Sequence, residues 1–467
     1  MVKTRYLLFW FDVEDCTMPR TDEAAKRLAN ILTKYGVRGT MKVVGQKARM
    51  FRERLRYDVI DALSVHAIGF HSDMHGFRPQ PAEYMSKFDW LEGSREFERR
   101  EFRGLEAVRL CWDKDIVCYG QPGSNWSPQV YPVLRKWSIP AYVSNYGYIG
   151  LHAQPFRYGG IINSSHLYGK DVQGREVSHS IGLNFELGAP GALEEHLKQF
   201  DQSYSALENG GVISIMNHPC TLIKEEWFTD KQKSEELIEA GYEHFETFLK
   251  TVLSYPNVKT ITADQLPVIY EDYAKDYIFS HDELLSLAKE STEEINFHKD
   301  EKMSVSPAEM FGMFVRFIHF YIKWERLAPG AVCRHLDGPA ASAESDTDVT
   351  ASGSDFSDSI NKVYDFIEQN NRLPDVIAVG NKRVSPDDYF TCMARTVIEL
   401  IKTSELPHTV RFSPGINKVR SYVDEDLAVK GWSGTMMLPG FTAPKLLEQA
   451  YLQTWTLKPG ILVNDID

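Results

Sequence analysis

The sequence has six cysteines, at positions 16, 111, 118, 220, 333 and 392, but no CxxC pair and no regular spacing among them. A zinc ribbon and a disulfide framework are therefore not indicated, and a reducing compartment fits best. No segment offers the roughly 18 uninterrupted apolar residues that a membrane-spanning helix needs. Bases are in the minority, 52 against 65 acids, for a formal net charge of -13. That balance argues against nucleic acid or an anionic membrane as partner, since both are recognised by clustered lysine and arginine. The early apolar run YLLFWFDV ends in acids at Asp12, Glu14 and Asp15 and lacks a small-residue cleavage site. It reads as a buried strand rather than a secretory signal, and a cytoplasmic location is expected.

Apolar material is plentiful: 43% of the 467 residues are hydrophobic, with 9 Trp, 22 Tyr and 25 Phe. A chain of this length usually divides into two or three domains. From residue 5 to about 268, short apolar runs alternate with longer amphipathic ones, the pattern of parallel strands joined by helices. YLLFWFDV, VRGTMKVVG, DIVCYGQPG, GGVISIMNHP and VKTITADQLP read as strands or strand exits. DEAAKRLANILTKYG, stopped by Gly36, and EELIEAGYEHFETFLKTVLSY read as helices. DVIDALSVHAIGF reads as a helix running into a strand. An α/β fold is expected over residues 1–275, with its chemistry at the carboxyl ends of the strands.

After residue 275 the patterning turns helical, as in DELLSLAKES and EMFGMFVRFIHFYIKW. The organisation expected is a helical segment over 276–336, an acidic flexible linker over 337–358 and a helical domain over 359–467. The linker has six acids, no bases and many small residues, too little to bury. VSPAEMFGMFVRFIHFYIK from Val305 and VSPDDYFTCMARTVIELIK from Val384 match at about seven of nineteen positions, which suggests an internal duplication. The Ser-Pro-acid start is also generic helix capping. Met and aromatic residues in the first of these segments recur at helical spacing, which suits core or interface.

Four strand exits carry groups capable of chemistry. GFHSDMHGF holds His71 and His75, which would offer two nitrogens to one ion if the stretch were helical; two imidazoles four apart are by themselves more often unrelated polar residues. FDVED ends the first strand, and strand alternation puts Asp12 and Glu14 on one face while Asp15 lies where the chain turns away. IMNHPC places His218 before a proline, in restricted non-helical backbone, where a histidine can act as a general acid. YGQPGSNWSP is a Gly/Pro-rich loop after another strand. Four such exits in one α/β region are more specific together than singly, because the fold gathers them.

The order FDVED, TMKVVG, HAIGFHSDMH, YGQPGSNWSP, ISIMNHP resembles the polysaccharide deacetylase or NodB-homology family, the fourth family of carbohydrate esterases, over roughly residues 3 to 270. FDV and HP resemble the branch of peptidoglycan-deacetylase-like proteins and related cyclic-amide hydrolases. The resemblance implies a distorted (β/α)7-type barrel and one divalent metal, commonly zinc. It implies His71 and His75 as ligands, Glu14 or Asp15 as the third, Asp12 as general base and His218 as general acid. Asn125 and Trp126 would line the substrate cleft by position, and His66 would pack structurally. A metal lowers the pKa of water and polarises an amide carbonyl, while base and acid handle two proton transfers.

The implied activity is metal-dependent amide hydrolysis, foremost N-deacetylation of an amino sugar or glycan precursor. The alternatives are a cyclic imide or ureide hydrolase and a non-catalytic glycan-binding scaffold. The expected partner is a carbohydrate or small amide substrate, with no nucleic acid, no membrane insertion and a homo-oligomer left open. One departure stands out: where the family has an R-x-P motif whose Arg ion-pairs the base, this chain has Gly120-Gln121-Pro122, so another residue must substitute, the substrate must differ, or the domain is catalytically weak. In the second half, the segment from residue 359 to 403, with its YDFIEQNNRLP core, resembles a pseudomurein-binding-type repeat, which would imply glycan binding; a helical dimerisation or lid domain is the plainer alternative.

Overall fold

Strand β1 (Arg5–Val13) is buried along its whole length, so both of its faces must be covered. The computed structural model describes residues 4–143, 148–151, 155–164, 168–170, 176–207, 211–425, 432 and 437–462. The covering follows the two-residue alternation of a strand. Tyr6, Leu8 and Trp10 pack with Cys118, Ala141, Val143 and Val212 in an inner core. Leu7, Phe9, Phe11 and Val13 pack outwards into a larger core that includes helix residues such as Leu28, Leu32 and Phe245. Each fully buried Leu or Phe contributes about 1.5–3 kcal/mol relative to exposure, so this two-sided strand anchors the domain.

The strands that follow are β2 (Thr40–Val43), β3 (Ala67–Phe70), β4 (Cys118–Tyr119), β5 (Ala141–Val143), β6 (Phe156–Tyr158), β7 (Ile161–Ser164), β8 (Tyr168–Lys170), β9 (Glu176–Ser178), β10 (Ser180–Gly182), β11 (Gly211–Asn217) and β12 (Val258–Ile261). Ten strands run in the order β10, β11, β1, β2, β3, β4, β5, β7, β6 and a last strand, Lys458–Pro459, while β12 pairs with β1 and β8 pairs, among the described residues, only with β9. Pairing is parallel from β10 to β7, and antiparallel from β7 to β6 and on to Lys458–Pro459. The result is a mixed α/β fold whose sheet curls into a half-barrel. This curl is consistent with the expected distorted barrel; its two ends, β10 and Lys458–Pro459, are not bonded to one another among the described residues.

Helices cover the outer face. In α1 (Arg20–Lys34), Ala24, Ala25, Leu28, Ala29, Ile31 and Leu32 form the buried stripe. They are followed by α2 (Gly45–Glu53), α3 (Tyr57–Ser64), the short α4 (Pro81–Met85) and the long α5 (Trp90–Trp112), which starts at an Asp89 N-cap accepting from the Glu92 N–H. Then come α6 (Tyr131–Lys136), α7 (Ala192–Ala206), α8 (Glu235–Leu253) with its Ser234 cap, and the single turn α9 (Leu266–Ile269). No described helix is long and apolar enough to cross a membrane, and all six cysteines are free thiols.

The second half is built from two units with the same order of elements. In the first, Ile278–Phe279 leads into α10 (His281–Glu290), a hairpin of His298–Lys299 with Ser304–Val305, α11 (Pro307–Trp324) and Ala331–Val332, which pairs back onto Ile278–Phe279. In the second, Thr350–Ser352 leads into α12 (Gly353–Asn370), a hairpin of Ile377–Val379 with Lys382–Val384, α13 (Pro386–Thr403) and Thr409–Arg411, which pairs back onto Thr350–Ser352. A serine caps all four helices: Ser280, Ser306, Ser352 and Ser385 each accept from a backbone N–H three residues on. The similar segments at Val305 and Val384 occupy the same place in the two units. The segment 359–403 lies within the second unit, from α12 to the end of α13.

Two expectations about this half need correction. The acidic stretch 337–358 is not a free linker: it carries the strand Thr350–Ser352 and the first turns of α12, and the Ala340 and Ala341 N–H groups donate to Asp375. Ser345 Oγ donates to Asp388, and the Arg383 N–H donates to Asp346. Its acids and serines find polar partners on the neighbouring unit, which composition alone cannot reveal. The carboxyl-terminal region also does not form a separate helical domain. Leu446 and Ala450 of α14 (Pro444–Gln453) join the core of the first half, and Lys458–Pro459 extends its sheet. Lys458 then ties the halves together, its ammonium 2.8 Å from both Asp272 and Glu309.

Candidate metal and acid–base site

The same alternation that packs the inner core delivers the site. Continuing from Trp10, the inward positions of β1 are Asp12 and, just past its end, Glu14. β2 pairs in register with β1 so that Asp12 lies opposite Lys42, and Lys42 in turn lies opposite Gly69 of β3. The next inward residue after Gly69 is His71. On the other side of β1, Phe11 pairs with Asn217, so His218 follows directly at the exit of β11.

His71 and His75 are not on a helix. His71 leaves β3, Ser72 adopts a left-handed φ of 66°, and the chain turns back to present His75. The His71 Nδ1–H donates to the Gly120 carbonyl at 2.9 Å, which fixes the tautomer and leaves Nε2 facing inwards. His71 Nε2 and His75 Nε2 lie 3.4 Å and 3.0 Å from Glu14 Oε2, and these three residues can bring their ligand atoms within 4.8 Å of one another. Both His71 Nε2 and Glu14 Oε2 are buried without a properly oriented hydrogen bond. Two imidazoles and a carboxylate converging in this way form the donor set of a zinc-type site, so these residues fit a divalent ion. Burial disfavours charge on His71 and pushes its pKa down, as a ligand requires. Burial would raise the Glu14 carboxyl, but the facing His75 and His218 hold it well below the ordinary range.

Asp15 does not join this set. It turns away at φ 62°, Oδ1 accepts from the Thr17 N–H and hydroxyl at 3.0 and 2.7 Å, and Oδ2 pairs with Lys224 at 2.9 Å. One oxygen is spent on the turn into α1 and the other on Lys224. Of the two acids left open as third ligand, the geometry brings only Glu14 to the histidines.

Asp12 is 5% exposed and has three basic neighbours. Oδ1 is 2.9 Å from Lys42 Nζ, and Oδ2 is 3.4 Å from His218 Nε2 and 3.5 Å from His71 Nε2. Burial alone would raise this carboxyl; its neighbours His71, Lys42 and His218 hold it well below the ordinary range, so Asp12 is ionised. His218 is oriented by Asn184, whose Oδ1 accepts from both its Nδ1–H at 2.9 Å and its backbone N–H at 3.2 Å. Burial would lower the His218 pKa, but Glu14 and Asp12 raise it, so the ring holds its proton more firmly than a free imidazole. Trp227, 40% exposed, stands edge-on to His218 with ring centres 5.1 Å apart.

Asn125 and Trp126 do not line a cleft; both are fully buried. Trp126 stacks on Tyr148, with Trp432 on the same aromatic cluster, and its carbonyl accepts from Trp432 Nε1 at 2.9 Å. Asn125 donates to Gln80 and to the Pro122 carbonyl. Both are structural supports of the loop after β4. His66 packs as expected, Nδ1 accepting from the Gly39 N–H at 3.2 Å, and burial pushes its pKa down to about 4.

Two further residues went unrecognised in the sequence. Lys42 is one, although a lone lysine in the apolar strand TMKV was a signal. Glu101 is the other. It lies on the apolar stripe of α5 with Phe97, Leu105 and Val108. Its Oε2 accepts from Ser72 Oγ at 2.9 Å and the Asp73 N–H at 2.7 Å, and Oε1 accepts from Tyr84 OH at 3.1 Å. Glu101 thus pins the turn between the two histidines. Asp73 itself faces outwards to Arg49.

Burial pushes the Glu101 carboxyl from 4.5 up to about 7 despite these donors. A carboxyl whose pKa is raised on folding contributes stability that is full below its unfolded pKa and is lost as pH rises through the folded value. The wild type is therefore expected to lose on the order of 3 kcal/mol relative to Glu101→Gln between about pH 4.5 and 8. Denaturant melts of both proteins across that range check this, and parallel curves would refute it.

No family model matches the chain, and no curated protein matches it. Among solved structures it is similar to a proposed polysaccharide deacetylase from Mycobacterium smegmatis, at 16% identity over 57% of this chain and 89% of that one, with a TM-score of 0.38. It is similar to a family 4 acetyl xylan esterase from Clostridium thermocellum, at 13% identity over 57% of this chain and 92% of that one, TM-score 0.32. A CE4 family pseudoenzyme from Bacillus anthracis is also similar, at 12% identity and a TM-score of 0.31, over 56% of this chain and 65% of that one. The chain thus matches slightly less than two thirds of the pseudoenzyme's length.

Proposed function

We propose that this protein is a metal-dependent hydrolase of amide bonds, and specifically an N-deacetylase of an N-acetylated amino sugar. The observation that carries the reading is the convergence of Glu14, His71 and His75 on one point, with Asp12 and His218 as a base and an acid beside it. A divalent ion bound there supplies a Lewis acid that polarises the amide carbonyl and makes water a stronger acid.

This chain's own residues carry the protons. Asp12, ionised and paired with Lys42, accepts the proton of water as its oxygen bonds to the carbonyl carbon. His218, held by Asn184, donates a proton to the departing nitrogen as the C–N bond breaks, releasing acetate and the free amine. The choice of an amino sugar follows the motif resemblance, and the exposed Trp227 beside His218 suits the apolar face of a sugar ring.

The test is acetate release from an N-acetylglucosamine oligosaccharide by metal-loaded protein, with a cyclic imide in parallel. Metal-dependent release of acetate, abolished by a chelator, is the expected result. Turnover of the imide alone would replace the substrate and keep the site. A metal-loaded protein that cleaves neither would overturn the reading in favour of a binding protein.

A further inference from the structure

We infer that Lys42 is the positioning residue for Asp12, its ammonium sharing with the Val143 carbonyl the space that a side chain at Gly120 would need. Lys42 is fully buried in the middle of a sheet, an environment that tolerates an ammonium only when it is paired and hydrogen-bonded. Three groups fix Nζ: Asp12 Oδ1 at 2.9 Å, the Val143 carbonyl at 3.3 Å, and the Trp10 ring, whose centre is 3.9 Å away. The register that sets Asp12 opposite Lys42 aims one at the other.

The neighbouring strands make room. A Cβ at Gly69 would lie 2.6 Å from Cys118 Sγ and 3.0 Å from Lys42 Cγ, and one at Gly120 would lie 2.4 Å from Nζ and 2.5 Å from the Val143 carbonyl. Neither glycine has the positive φ that would by itself demand glycine. Their small size serves the lysine stem, the ammonium and the sheet packing beside it. The charge that steadies the base therefore comes from β2, in the volume that a larger residue after β4 would fill.

This inference rests on the proposed reading of Asp12 as base, so its test has two readouts. The first is turnover of the N-acetylglucosamine oligosaccharide by metal-loaded Lys42→Met. A fall in kcat on the order of 100-fold is expected, with KM within about threefold and metal content unchanged, since loss of a positioned base costs at least that much. For Lys42→Ala, added n-propylamine should restore part of kcat, whereas an equal concentration of triethylamine should not. A kcat within about threefold of wild type in Lys42→Met would overturn the inference, as would a loss traced to lost metal.

The second readout is independent of activity: crystal structures of wild type and Lys42→Met should differ by about 1 Å or more at the Asp12 carboxylate while Glu14, His71 and His75 stay in place. An unmoved Asp12 overturns the inference even if the wild type hydrolyses no amide, an outcome that would by itself remove only the reading of Asp12 as base. If the Lys42 variants do not fold, Gly120→Ala keeps every charge and should displace the ammonium, giving the same fall in kcat and the same shift of Asp12.

Discussion

Replacing Asp12 by asparagine should abolish most of the turnover while leaving the metal in place. The amide has the shape of the carboxylate and can keep an oxygen beside Lys42, but it cannot take up a proton. Loss of a positioned base lowers rates by about 100- to 10,000-fold. A second effect accompanies the first. Lys42 is buried and loses its counter-charge, and breaking one side of a buried pair costs about 3–5 kcal/mol. Asp12→Asn should therefore be less stable than wild type in denaturant melts, retain its bound metal by elemental analysis, and show kcat reduced with KM little changed. Turnover within about threefold of wild type would mean that Asp12 is not the base.

His71→Ala, His75→Ala and Glu14→Gln should each empty the metal site. The three side chains supply the only cluster of this kind among the described residues, and removing one leaves two donors, too few to hold a divalent ion against dialysis. Retained metal should fall below about a tenth of an equivalent in each case. Asp15→Asn is the matched control. Its carboxylate serves Thr17 and Lys224, so the variant should keep its metal and lose stability through the weakened Lys224 pair. Metal lost from Asp15→Asn and retained by Glu14→Gln would reverse the assignment of the third ligand. His71→Ala should be the least stable of the set, because it also leaves the buried Gly120 carbonyl without its donor.

The stretches whose periodicity is local were readable in the sequence. YLLFWFDV is all but the first residue of the strand Arg5–Val13, DEAAKRLANILTKYG takes in α1 from its third residue onwards, and EELIEAGYEHFETFLKTVLSY contains α8. The common face of Asp12 and Glu14 followed from strand alternation, which is fixed within one strand. What the sequence could not supply was any fact that depends on a partner strand or a distant segment. Lys42 gains its meaning from the β1–β2 register, and Trp126 is closed over by Trp432, about three hundred residues on. The acids of 337–358 looked solvated because their partners, Arg383 among them, come from elsewhere in the chain.

By itself, then, the sequence determined the strand exits, the residues they carry and the parity that turns each one inwards, because a strand's two-residue repeat is set by covalent geometry. Only the tertiary structure decided which acid meets the histidines, which cation steadies Asp12, and that Asn125 and Trp126 are buried. Those outcomes depend on register, on left-handed turns at Asp15 and Ser72, and on packing between segments far apart in the chain.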